Sequence, residues 1–172
     1  MNIIEKISLL KWGLPKQEYK NIFSNKQWFP NHPTQNAVGF SDEIENRNVS
    51  VVAYFIINDE IDRLARIVIN FENIETDTQR KFIFENQVKD LNKLYGEMKY
   101  STTMTRLDTS QEYRLSELII WKKNNTTVNA TLALSEHGCL NPGVTIAFGD
   151  GQNDPVSKQW DWIDDIQKNS DN

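Results

Sequence analysis

Between Val49 and Leu134 the chain alternates stretches in which apolar residues recur every second position with one long stretch in which they recur every third or fourth. In Arg63–Phe71, Leu64, Ile67 and Ile69 are interleaved with Arg63, Arg66 and Asn70. Thr127–Leu134 alternates threonine, asparagine and alanine with valine and leucine. Period two is the mark of a strand with one face in the core and one in water, and such half-wet sheets are usually antiparallel. Val49–Ile57 and Arg63–Phe71 read as a hairpin turning at Asn58–Asp62. Leu118–Lys123, a turn at Asn124–Asn125, Thr127–Leu134 and Val144–Phe148 read as further strands.

Within 76–96 the period changes. Thr76 is an N-cap residue, Phe84, Val88, Leu91 and Tyr95 follow at helical spacing, and Gly96 supplies a stop. A shorter helix is predicted over Leu14–Phe23, where Pro15 suits the first turn. Asp154–Pro155 starts another near the C-terminus. The order helix, strands, helix, strands lacks the regular alternation of a parallel sheet. The expected fold is α+β, an antiparallel β-sheet packed against a long central helix, with short N-terminal and C-terminal helices. At 172 residues the chain fits one domain, 1–172, with 168–172 a frayed tail.

Leu10-Lys11-Trp12-Gly13-Leu14-Pro15-Lys16-Gln17-Glu18, followed by the hairpin and by Leu91-Asn92-Lys93-Leu94-Tyr95-Gly96, resembles small bacterial α/β modules in which a Trp-Gly precedes a short helix and a Leu-x-x-x-Tyr-Gly ends a longer one. The resemblance covers the middle two-thirds of the chain. Such modules occur in outer-membrane assembly lipoproteins and in cytosolic proteins, immunity proteins among them. The shared motifs are packing and capping features and bring no catalytic residue with them.

Composition narrows the function. The N-terminal Met1–Ile7 carries Glu5 and Lys6 among its apolar residues, and no stretch approaches the roughly 20 apolar residues of a membrane span. A cytoplasmic protein without membrane contact is expected, and a single cysteine, Cys139, agrees with a reducing compartment. His137-Gly138-Cys139 sets a base two residues from a thiol, but side chains that close rarely adopt nucleophile–base geometry. His32, His137 and Cys139 match no paired zinc spacing, and Asp150-Gly151-Gln152-Asn153-Asp154 has its glycine in the wrong place for a calcium loop. The glycines Gly143, Gly149 and Gly151 form no phosphate-binding frame. Asp59, Glu60 and Asp62 read as solvated turn charges. No catalytic residue, cofactor or metal is expected. A net charge of −5 disfavours direct nucleic-acid binding, although Arg63, Arg66 and Arg80 could gather locally.

Six aspartates against two lysines in residues 150–172 carry most of that charge. At about 100° per residue, Trp160, Trp162, Ile163 and Ile166 share one side of the predicted helix, and Asp161, Asp164 and Asp165 take the other. An acidic ridge with aromatic anchors suits capture of a cationic partner. The leading expectation is therefore a non-catalytic immunity-type protein that neutralises a bacterial toxin, such as a nuclease, by covering its basic cleft through Asp154, Trp160, Asp161, Asp164 and Asp165. One alternative is a structural or regulatory module that binds protein through a sheet edge or the Trp28-Phe29-Pro30 loop. The other is a small-ligand binder or enzyme using a concave sheet face with His32, Tyr54, Arg66 or Trp121. The sequence leaves the oligomeric state open.

Overall fold

The computed structural model describes residues 2–11, 13–30, 36–58, 60–108, 111–123, 126–135 and 140–148. Those residues form an α+β fold built on one seven-stranded sheet, antiparallel at every pairing. The strands are β1 (Ala37–Ile44), β2 (Arg47–Asn58), β3 (Ile61–Phe71), β4 (Tyr100–Asp108), β5 (Gln111–Lys123), β6 (Thr126–Ser135) and β7 (Leu140–Phe148), in the spatial order β1-β2-β3-β7-β6-β5-β4. Two meanders, β1–β3 and β4–β7, thus meet along a seam where Arg66–Asn70 pair with Gly143–Ala147.

One face of the sheet is the core. Val38, Phe40, Val49, Val51, Ala53, Phe55, Leu64, Ile67 and Ile69 line its β1–β3 half, and Ile119, Trp121, Val128, Ala130, Leu132, Val144 and Ile146 its β5–β7 half. Side chains on alternate positions point the other way. There Ser50, Val52, Tyr54, Arg66, Val68, Thr131 and Thr145 are only partly covered, whereas Ile120, Thr127 and Asn129 are buried.

The helix α3, Asp77–Tyr95, lies over the β5–β7 half of the core face. Its long axis therefore serves one meander rather than the middle of the sheet. Thr76 and Gln79 cap it reciprocally, each side chain bonding the other's backbone N–H, and Gly96 closes it at φ +84°, a conformation that favours glycine. Ile83, Phe84, Leu91 and Tyr95 face the sheet. The indole N–H of Trp121, fully buried, donates to the Asn92 side-chain oxygen at 2.8 Å and ties helix to β5. Burial pushes the Tyr95 hydroxyl up to about 12.

Two short helices cover the β1–β3 half. In α1, Ile3–Ser8, Asn2 and Glu5 form a capping box, and Ile3, Ile4 and Ile7 are buried. In α2, Lys16–Ile22, Pro15 stands at the N-cap and no side chain caps the end. What holds α2 is an aromatic cluster: the fully buried Tyr19 ring lies 4.9 Å from Phe23, 6.0 Å from Trp28 and 5.7 Å from Phe55, with Phe40 5.2 Å from Phe23. Burial drives the Tyr19 hydroxyl far above its ordinary value.

The edge strand β1 is partly covered. Trp28 bridges to Phe40, the Phe29 N–H donates to the Gly39 carbonyl at 2.7 Å, and Lys26 pairs with Asp42 at 2.7 Å. Gly39 is required there, because a Cβ would sit 2.9 Å from the Phe29 ring and 3.0 Å from the Val51 carbonyl oxygen. The expected C-terminal helix, and the proposed frayed tail at 168–172, lie outside the described residues.

Candidate functional site

A groove of about 360 Å³ opens where the tip of the β2–β3 hairpin meets the start of α2, lined by Pro15, Lys16, Gln17, Lys20, Glu60, Ile61 and Asp62. Its position follows from the sheet. Among the described residues β7 pairs with β3 only from Arg66 onward, so the first residues of β3 have no strand beside them there on that side. The chain at Gly13–Pro15 fills the gap: the Gly13 N–H donates to the Leu64 carbonyl, the Leu64 N–H to the Leu14 carbonyl, and Pro15 bridges to Arg63. Gly13 takes φ +80°, and the Arg63 guanidinium donates to its carbonyl at 3.2 Å. This docking fixes where α2 begins, and so brings Lys16 beside Asp62.

Three polar side chains from separate parts of the chain then meet. The Lys16 ammonium donates to the Asn36 side-chain oxygen at 2.7 Å, the Asn36 amide donates to Asp62 Oδ1 at 2.7 Å, and Lys16 Nζ lies 3.5 Å from Asp62 Oδ2. The polarity of the amide is set by its neighbours, since the reverse orientation would aim its N–H groups at an ammonium. Asp62 and Lys16 keep 35% and 28% of their side chains accessible, so the carboxylate is held by two donors yet open to the groove. Asp62 lies opposite Ile57 in the hairpin, which puts both on one face. Ile57 is 75% exposed. A carboxylate with spare lone pairs, next to a fixed cation, can accept a proton from water or attack an electrophile while the cation faces developing negative charge.

The described residues line two other hollows. One of about 250 Å³ beside α1 is lined by Asn2, Ile3, Lys6, Phe23, Asn25, Lys26, Asp42 and Glu43, with Lys26 paired to Asp42 at 2.7 Å and Lys6 donating to the Ile22 carbonyl. The larger one at the C-terminal end of α3, about 570 Å³, is lined among the described residues by Asn92, Gly96, Glu97 and Met98. Among the described residues no three His, Cys, Asp or Glu come together in a way that would hold a metal ion.

Of the residues expected on a concave sheet face, Tyr54 and Arg66 are brought together: they are cross-strand partners with the guanidinium 4.3 Å from the ring centroid. Trp121 is not with them, because it points into the core against Asn92. His32 lies outside the described residues, as do His137 and Cys139. The three arginines do not gather. Arg63 bonds Gly13, Arg66 stacks on Tyr54, and Arg80 bonds the Ile74 carbonyl and Asp77. Asp62 also departs from its reading as a solvated turn charge, for it is the second residue of β3 and part of the polar triplet. The proposed acidic ridge, Asp154, Trp160, Asp161, Asp164 and Asp165, lies outside the described residues.

Among the described residues no helix is long and apolar enough to cross a membrane. No curated protein and no solved structure matches the chain. One family model does, that of haloacid dehalogenase-like hydrolases, over residues 7–155. This match corrects the expectation of a non-catalytic, immunity-type toxin inhibitor: acidity and the lack of a recognisable short motif do not argue against catalysis when the acting groups are scattered along the chain. It gives a reaction class and leaves the roles of individual residues to the geometry. On this match, spanning most of its length, the chain belongs to the haloacid dehalogenase-like hydrolase family.

Proposed function

We propose that the chain is a hydrolase whose reaction takes place in the groove between α2 and the β2–β3 hairpin. The observation that carries this reading is the Lys16–Asn36–Asp62 triplet, a half-exposed carboxylate oriented by an amide and flanked by an ammonium. Family membership supplies the reaction class, and the triplet is the arrangement among the described residues best suited to it.

In this reading Asp62 is the general base that takes a proton from the attacking water, and Lys16 faces the negative charge that grows on the substrate. Asn36 is a positioning residue: it touches Asp62 and Lys16 and fixes the direction of the carboxylate. Lys16 and Lys20 stand one helical turn apart on the groove wall, which favours anionic substrates.

The test is a substrate panel with Asp62→Asn. 2-Chloropropionate, p-nitrophenyl phosphate and p-nitrophenyl acetate cover halide, phosphate and acyl hydrolysis. Turnover of one of them should fall by roughly 10²- to 10⁴-fold in kcat, as expected when a general base is lost, with KM little changed. Asn36→Ala should lower kcat less and shift the pH profile. Full activity in Asp62→Asn would sink the assignment.

A further inference from the structure

The sheet has a second face that the hydrolytic reading does not use. Register places Tyr54, Arg66, Ala147, Thr127 and Lys122 in one row across β2, β3, β7, β6 and β5, and Val52, Val68, Thr145, Asn129 and Ile120 in the next. The three helices lie on the other side, where their buried apolar residues join one core with Ile119, Trp121 and Val128. Yet on the second face Ile120 is 0% exposed, Asn129 4% and Thr127 9%. The Arg66 Nε beside them is shut off from water and has no hydrogen-bond partner among the described residues. Neighbours within a single layer do not take an isoleucine wholly out of water, so a further layer must rest on this face. None of the described helices supplies it.

We infer that this face is the docking surface for the chain's own C-terminal segment, residues 150–172, with Trp160, Trp162, Ile163 and Ile166 set against the Val68–Thr145–Asn129–Ile120 row. Three observations select that occupant. The chain leaves the sheet at Phe148, paired with Thr126 and one residue past the row that holds Arg66 and Lys122, so the segment starts at the margin of the face it covers. Its length fits. A helix over 155–167 is roughly 20 Å long at about 1.5 Å per residue, and the five strands that form each row span roughly 19 Å at about 4.8 Å apart. Charge fits as well: the two rows hold Arg66 and Lys122 and no carboxylate, whereas residues 150–172 hold six aspartates against two lysines. The tryptophans thus serve the molecule's own second layer. Most of that layer lies beyond residues 7–155, the span of the hydrolase family match, and the inference stands apart from the reading of the groove.

Amide hydrogen exchange of the full chain tests this. Across 160–166 exchange should be slowed about tenfold or more relative to the unstructured rate. Val68→Lys and Thr145→Lys each set a charge beneath the inferred layer at a position that is only partly covered. Either should bring exchange in 160–166 back to within about threefold of the unstructured rate while the circular dichroism of the sheet is kept. A zero-length carbodiimide cross-link on the unaltered chain asks the same question without a substitution: Lys122 should join an aspartate of 150–165 within one chain. Unslowed exchange in the unaltered chain, or slowed exchange that survives both lysines, would overturn the inference. So would aspartates of the segment linked only to lysines of α3, which lies on the opposite face. Slowed exchange that fades on dilution, or a Lys122 link found only in dimers, would assign the layer to a second copy and overturn it as well.

Discussion

α3 covers its half of the core face with 19 residues, a reciprocal cap at Thr76 and Gln79 and a glycine stop, whereas α2 covers part of the other half with seven residues and no side-chain cap. Helices as short as α2 are not stable alone. It exists because Tyr19 and Phe23 are locked among Trp28, Phe40 and Phe55. The contrast shows where the chain invests local signals and where it relies on tertiary packing, and the candidate site hangs on the second kind. Lys16 and Lys20 are positioned by rings further along the chain, so the site is only as firm as the aromatic cluster.

The largest break in that comparison is Tyr19→Ala. Removing a fully buried ring should cost about 3–5 kcal/mol, read as a lower urea midpoint, and should release α2 and the groove together. Alkali acts next. The Tyr95 hydroxyl prefers its neutral form in the folded chain, with its value raised from 10.0 to about 12. That contribution is fully present below pH 10 and is lost as pH rises from about 10 to about 12, a fall of roughly 2 to 3 kcal/mol in a urea titration. Tyr95→Phe should remove this part of the alkaline slope. Thr76→Ala should cost only about 1 kcal/mol, because it removes one cap from a helix that also has its packing, and should leave the groove unaltered. The smallest effect separates packing from polarity in the aromatic cluster. Tyr19 Oη is buried without a hydrogen-bond partner among the described residues, so Tyr19→Phe should leave stability unchanged or raise it by about 1 kcal/mol. A large loss there would mean that the hydroxyl is tied.

The same division explains what could be read from the sequence. α3 announces itself through Thr76, the spacing of Phe84, Leu91 and Tyr95, and Gly96, and the interior strands β2, β3 and β6 through their alternation. The two edge strands escape that reading. β1 carries Gly39 and a polar Ser-Asp-Glu before its final Ile44, and β4 is Tyr-Ser-Thr-Thr-Met-Thr-Arg-Leu-Asp, so both look like loops. Polar edges are how sheets avoid pairing with strangers, and that protection hides them from hydrophobic patterning. α1 was open to detection, since Asn2 and Glu5 have capping-box spacing. The candidate site was not. Lys16, Asn36 and Asp62 are 20 and 26 positions apart, and their meeting depends on Gly13–Pro15 docking beside β3.

The seam between β3 and β7 bears on how the molecule assembles. Each meander is made of sequence neighbours and can zip from its own hairpins, but Arg66–Asn70 must find Gly143–Ala147 across more than 70 intervening positions. Closing a loop of that size is opposed by chain entropy until both partners exist. The pace of folding is therefore governed by a handful of backbone pairs in the middle of the sheet, and substitutions there should slow refolding more than equally destabilising ones at either margin.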